Sequence, residues 1–303
     1  MKKLLGFFIF FLALAINTSF AQQIDDQKLL FDLEYLASEE LEGRKTGSEG
    51  AALAVDFIKN RFQDLGLTSQ YTDFSQKFDF FNKREIKQYT DAVNVLGFIP
   101  GSESEKLIVI TAHYDHLGKK DDKIFYGADD NASGTAALLA FAEYFSKNRP
   151  KHSMMFVALD AEEMGQHGSK ALVKDFPFPI DQVVLNINMD MVSRSDQNEL
   201  WAVGTYHYPS LKPSLEKVGK SSSISLMFGH DEPNSNLQDW TYSSDHAAFH
   251  REDIPFIYFG VDDHEDYHKE TDTFENIDPE FFVNATKLIL NAIIEFDTTL
   301  LGN

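Results

Sequence analysis

The sequence contains no cysteine among its 303 residues. A disulfide framework and a lipid-anchored N-terminal cysteine are both excluded, so stability must come from packing and non-covalent contacts. Basic residues are also scarce, with 27 Lys and Arg set against 48 Asp and Glu for a formal charge of -21. A field of that sign repels nucleic acid and anionic membrane surfaces, which argues against nucleic acid as a partner. Beyond the N-terminus, no segment approaches the roughly 20 consecutive apolar residues that a membrane-spanning helix requires. No Pro- or Gly-rich linker, internal repeat or low-complexity tract divides the chain. A single domain is the simplest reading.

At the N-terminus, Lys2 and Lys3 precede the apolar run Leu4 to Ile16, and Ser19-Phe20-Ala21 follows as a small-x-small cleavage site. This is the pattern of a signal peptide over residues 1–21, which predicts an exported protein, periplasmic or extracellular, with residues 22–303 as the mature chain. Loss of the two lysines makes the mature chain more negative still, and no membrane contact is expected of it. Its 43% hydrophobic and 25% charged residues match a soluble globular protein.

Leu29, Leu30, Leu33 and Leu36 carry a helical period. Ala51, Ala54, Val55, Ile58, Phe62 and Leu65 carry another, stopped by Gly66. Between them, Ser38 to Arg44 breaks the pattern with charge and glycine. Tyr71 to Tyr89 reads as an antiparallel edge hairpin. From about Asn94, short apolar runs alternate with helices: strands at 107–111, 154–159, 183–189, 224–228 and 254–259, helices at 131–146 and 210–218. A closing helix opens at Asp278-Pro279, a capping residue with proline at the first helical position, and buries Phe282, Leu288, Ile289 and Ile293. Strands that are apolar throughout and alternate with helices predict an α/β fold, with a mostly parallel mixed sheet covered by helices on both faces.

In such sheets ligands bind beyond the carboxyl ends of the strands, and there the sequence places its chemistry. His113-Tyr114-Asp115 follows the first of these strands, and Gly127-Ala128-Asp129-Asp130-Asn131-Ala132-Ser133-Gly134 precedes the next helix. Asp160-Ala161-Glu162-Glu163, Asp190 and Tyr267-His268-Lys269-Glu270-Thr271-Asp272 follow later strands. Taken singly, each is common in structural roles: His-x-Asp as a bonded pair, Glu-Glu as a solvated turn, Asp as a helix cap. Together at one sheet edge, unpaired buried charges would cost several kcal/mol each. A metal cluster removes that cost. Two zinc ions would balance Asp130, Glu163, Asp190 and one hydroxide, with His113 and His268 as neutral ligands, and zinc accepts such donors in a catalytic site. Other divalent metals would also suit. Glu162 is then left free to handle a proton.

This set of residues resembles the M28 family of metallopeptidases, the secreted leucine-type aminopeptidases, over roughly Leu29 to the closing helix. The resemblance implies the zinc-exopeptidase (phosphorylase/hydrolase-like) fold and two zinc ions bridged by Asp130. His113 and Asp190 would complete one site, Glu163 and His268 the other. Asp115 would fix the tautomer of His113, and Ser244-Asp245-His246 would support the pocket. The Asp130–Asn131 peptide bond is expected to be cis. Asp129 and Asn131 would shape the turn. The span before His113 is too short for the protease-associated insert of some subfamilies, and the Cys pair of some secreted members is absent.

The implied reaction is hydrolysis of the N-terminal peptide bond of peptides with a free amine, with Glu162 as general base. Met191 and Tyr267 are candidates to line the pocket for the first residue. His116 reads as a loop cap, and His264 lies close enough to His268 to compete with it as a ligand, but neither is counted among the metal donors. His152, His207, His230 and His250 read as surface or core residues. Three other functions compete: a glutaminyl cyclase with one zinc, a carboxypeptidase or dipeptidase using Arg194 or Lys269, and a non-catalytic relic.

Overall fold

The computed structural model describes residues 24–233 and 235–300, so the expected signal segment lies outside the described residues. The chain enters through helix α1 (Asp26–Leu36), capped by the Asp25 carboxylate, which accepts the N–H groups of Gln27 and Lys28. Helix α2 (Glu49–Asp64) is capped by Ser48 and buries Ala51, Ala54, Val55, Ile58 and Phe62. Strands β1 (Ser75–Asn82) and β2 (Lys87–Ile99) form the expected antiparallel hairpin, although β2 runs on ten residues past Tyr89 and absorbs the strand onset read near Asn94.

Strand β3 (Ser104–His113) follows, then a small hairpin of β4 (Gly118–Lys120) and β5 (Lys123–Phe125), helix α3 (Gly134–Lys147) and strand β6 (His152–Leu159). Helix α4 (His167–Lys174), strands β7 (Val183–Met189) and β8 (Glu199–Val203), helix α5 (Lys212–Gly219) and strand β9 (Ser225–Phe228) come next. The short α6 (His246–His250), strand β10 (Phe256–Gly260) and helix α7 (Pro279–Thr299) complete the fold.

Eight strands make one sheet in the order β1-β2-β6-β3-β7-β10-β8-β9. Its centre, β6-β3-β7-β10, is parallel, and antiparallel pairing enters at β2 and at β8. The centre accounts for the continuous apolar runs. Along β3, Ile108 and Ile110 face the helices α1, α2, α3 and α7, whereas Leu107 and Val109 face Leu172 of α4 and Phe249 of α6. Both faces are dry, so a two-residue alternation would leave polar groups buried. The closing helix behaves as read: Asp278 caps it through the N–H groups of Glu280 and Phe281, and Phe282, Ile289 and Ile293 are fully buried. Each such side chain contributes roughly 1.5–3 kcal/mol.

One element differs from expectation in a way that matters. The helix expected from Asn131 begins at Gly134, and residues 128–133 form a wide, irregular turn instead. The side chain of Asn131 is the cause. Its Oδ1 accepts the N–H groups of Gly134 (2.9 Å) and Met191 (3.2 Å), and its Nδ2 donates to the Met189 carbonyl at 2.9 Å. The turn is thereby stitched to the end of β7. No described helix is long and apolar enough to cross a membrane.

Candidate metal centre

The parallel strands end at one edge, and each delivers a donor there. His113 is the last residue of β3, Asp190 directly follows β7, and Glu162 and Glu163 lie in the loop after β6. Asp130 comes from the turn before α3, and His268 from the loop after β10. His113 Nε2 lies 3.2 Å from Asp190 Oδ1 and 3.5 Å from Asp130 Oδ1. On the other side of the same aspartate, His268 Nε2 lies 3.0 Å from Asp130 Oδ2 and 3.4 Å from Glu163 Oε2. Asp130 thus divides its two oxygens between two donor groups. Ligands about 2.0–2.1 Å from a tetrahedral zinc are spaced about 3.3 Å apart, and the donors are the nitrogen and oxygen types that zinc takes. The residues fit two divalent ions.

Electrostatics points the same way. Burial and the neighbouring Glu163 raise the affinity of Asp130 for a proton. Burial holds the Glu162 carboxyl well above the usual range; His113 opposes this, and Asp245, Asp190 and Glu163 add to it. Such a cluster of carboxylates is stable only with compensating positive charge.

The backbone around the donors is held by groups that themselves supply no ligand. Asp115 stands behind His113, with its carbonyl 3.1 Å and its carboxylate 3.6 Å from His113 Nδ1. That carboxylate also accepts the N–H groups of Glu162 (3.0 Å) and Glu163 (3.4 Å), so it sets the loop carrying both glutamates. Asp272 accepts the N–H groups of Asp129 (2.9 Å) and Asp130 (3.1 Å). Asp129 shapes the turn as expected, taking the Ser193 N–H and hydroxyl on one oxygen and His264 Nε2, at 3.0 Å, on the other. His264 is therefore committed to Asp129. The Asp130–Asn131 bond is cis, as the resemblance implied. Ala161, Met191 and His268, each beside or at a donor, adopt left-handed backbone angles that non-glycine residues rarely take.

Arg44 has a role that its sequence context does not reveal. It is fully buried, and its guanidinium donates to the carbonyls of Tyr114 and Tyr126 (2.7 Å each), Gly127 (2.8 Å) and Leu36. It ties the His113 loop and the Asp130 turn to the end of α1. A second omission is His116. Its ring is buried, so it is not a cap on a solvated loop, and its Nδ1 lies 2.7 Å from Glu163 Oε1, beside the donors.

The donors open onto a cavity of about 220 Å³ whose walls include Met191 and Tyr267, as expected, and also Gln238, Trp240, Ser243, Tyr258, Val261 and Asp263. Tyr267 stacks on His268 with ring centroids 3.9 Å apart. The Ser244 hydroxyl accepts Asn188 Nδ2 at 3.0 Å and, against burial and alongside His113, helps to hold the Asp190 carboxyl below its usual range. Of the remaining histidines, His152 is core, bound to Asp297 at 3.1 Å, while His207, His230 and His250 pack among the aromatic rings of Trp240 and Phe256.

His246 is fully buried between Phe256 and Tyr258, and its Nε2–H donates to the Trp240 carbonyl at 2.9 Å. Burial pushes its protonation down to about 3. The unfolded chain takes up this proton near 6.5, so between those values unfolding binds more protons. The contribution of His246 is complete above pH 6.5 and is lost as the pH falls toward 3, with a slope of up to about 1.4 kcal/mol per pH unit. Denaturation midpoints measured from pH 7.5 to 5 should fall more steeply for the wild type than for His246→Gln. Equal slopes would contradict the assignment.

A family model for peptidase family M28 matches residues 94–293, which contain every donor named above. The chain belongs to peptidase family M28. Among its relatives in that family, aminopeptidase YwaD of Bacillus subtilis is 30% identical over 203 residues, covering 62% of this chain and 41% of that protein. The chain thus matches about two fifths of this curated relative. The fold is shared with BSAP, a zinc aminopeptidase from Bacillus subtilis, at a TM-score of 0.69 and 17% identity over 88% of this chain and 94% of that one. It is shared equally with a glutaminyl cyclase from Bacteroides thetaiotaomicron, at a TM-score of 0.72 and 18% identity over 90% and 98%. At those identities the M28 membership comes from the family model, and the two structures speak to the fold.

Proposed function

We propose that this M28 protein is a di-metal aminopeptidase acting on peptides with a free N-terminus, with zinc as its working ion. The observation carrying this reading is the division of the Asp130 oxygens between the His113–Asp190 pair and the Glu163–His268 pair, beside a cavity that Glu162 also lines. When bound, two such ions acidify a water and polarise the scissile carbonyl. Glu162 accepts the proton of the attacking water and returns it to the departing amine. Asp115 keeps that carboxylate aimed by holding the backbone N–H of the residue that bears it.

The cavity wall also supports the choice of substrate end. Asp263 lines it without belonging to either donor group, and among the described residues His268 is the only basic side chain in the lining. A site of that sign favours an ammonium and repels a terminal carboxylate. The cations a carboxypeptidase would require are engaged elsewhere: Arg194 pairs with Asp266 and Glu265, and Lys269 donates to the Glu265 carbonyl. Met191, Trp240, Tyr258 and Val261 offer apolar surface to the first side chain. The Lys2-Lys3 and Leu4 to Ile16 pattern supports export, with the enzyme working in the periplasm or outside the cell.

The test compares leucine anilide with its N-acetylated form. Losing hydrogen bonds to a charged group costs about 1.5–3 kcal/mol, so the acetylated substrate should have a kcat/KM lower by roughly 10- to 100-fold. Equal rates would overturn the amine anchor. Formation of a pyroglutamyl product from an N-terminal glutamine peptide would support the cyclase reading instead.

A further inference from the structure

We infer that His116 is a fourth protein ligand of the second metal position, so that the two positions are unequal in affinity. This inference rests on the di-metal reading above. The His113 position has three protein donors, His113, Asp130 and Asp190. The other has His116 in addition to Asp130, Glu163 and His268. His113 ends β3 and His116 follows three residues later, yet their rings face different oxygens of Asp130, Oδ1 for His113 and Oδ2 for His116.

The His116 ring is buried, and neither of its nitrogens has a hydrogen-bond partner; Glu163 Oε1 is likewise buried and unpartnered. These two unpartnered atoms, Nδ1 and Oε1, lie 2.7 Å apart without the angles of a hydrogen bond. Two buried donor atoms so close, with no other partner, are placed to share a cation. His116 Nδ1, an Asp130 oxygen and a Glu163 oxygen all fall within 4.8 Å of one another, as the atoms around one ion do. On the far side of the same glutamate, His268 Nε2 stands 3.4 Å from Oε2, so Glu163 offers one oxygen to each of two imidazoles. The two rings are 5.8 Å apart at 63° and enclose the position from two directions.

The ring is also locked in place. A Cβ at Gly127, which has φ of 59°, would fall 2.5 Å from His116 Cγ and Cδ2, so the glycine clears the space the imidazole occupies. The His116 N–H points at the Arg44 carbonyl at 3.4 Å. The loop is therefore anchored through its backbone, and the side chain is not needed as a cap.

Four protein ligands are the pattern of a closed, retentive zinc position, whereas three leave room for water. The His113 position lies in reach of Glu162 and keeps the open place that chemistry requires. The Glu163 position is accordingly the tighter one and fills first.

The experiment uses protein stripped with a chelator and titrated with zinc in competition with a chromophoric chelator. Wild type should take up two ions in two steps at least tenfold apart in affinity. His116→Gln should weaken the tighter step by more than tenfold and leave the looser one within about threefold. X-ray absorption of wild type carrying one equivalent of zinc needs no variant and should report about two imidazoles on that ion. One imidazole, or a His116→Gln titration that matches wild type, would overturn the role of His116 alone. Failure of wild type to take up zinc at all would overturn the metal reading of the whole site.

Discussion

Replacing Glu162 with glutamine is expected to lower kcat by about two to four orders of magnitude, the usual size of a general acid/base contribution. Metal content and melting temperature should stay close to those of the wild type. Glutamine retains the shape of glutamate and leaves the backbone N–H that Asp115 accepts at 3.0 Å undisturbed, but its amide does not take a proton at neutral pH. The loop therefore stays in place, and Glu163, next along it, still offers its oxygens. Kinetics with an amino-acid anilide, paired with zinc analysis of the same sample, checks the separation. Near-normal turnover would show that Glu162 is not the base, and loss of zinc would show that it is a ligand.

Asp130→Asn should act at the opposite extreme. Since Asp130 is the one residue common to both donor groups, its loss weakens both positions at once. Zinc content should fall from about two per chain to below one, with activity lost in proportion. Because the binding energy of a metal is also folding energy, the melting temperature in excess zinc should drop with it. In chelator the sign reverses. The Asp130 carboxylate is then a charge that burial and Glu163 both oppose, so the neutral amide should leave the stripped protein at least as stable as stripped wild type. Thermal scans of both proteins with zinc and with chelator decide the matter. A variant that keeps two zinc ions would show that the aspartate does not bridge.

What the sequence disclosed, and what it concealed, follows from how far each contact reaches. Central strands such as β3, β6 and β7 were legible to within a few residues because a strand covered on both faces has to be apolar throughout. The edge hairpin was legible from its aromatic and charged composition, although its period is weak. The donors were legible because carboxylates and imidazoles gathered at strand ends repel or go unpaired unless a cation sits among them. The start of α3 was misplaced because the Asn131 side chain bonds to residues nearly sixty positions away, at the end of β7. A local pattern has no access to that. Arg44 was hidden for a similar reason, since its partners are backbone carbonyls, which leave no mark on the identity of the residues bearing them. His116 was open to discovery. Its place three residues after His113, just beyond the end of β3, puts it within reach of the same strand-end site.

The loop after β10 carries both His268 and, four residues later, the Asp272 carboxylate that holds the N–H groups of Asp129 and Asp130. A ligand and the clasp on another ligand's backbone therefore ride on one segment. If that segment swings out, an imidazole leaves and the shared aspartate loses its footing in the same event. The lifetime of a bound ion would then depend on how often this loop opens as well as on each bond to the ion. Substitutions that stiffen the loop would slow metal exchange without touching a single donor, and those that loosen it would make the protein's metal content dependent on the zinc concentration around it.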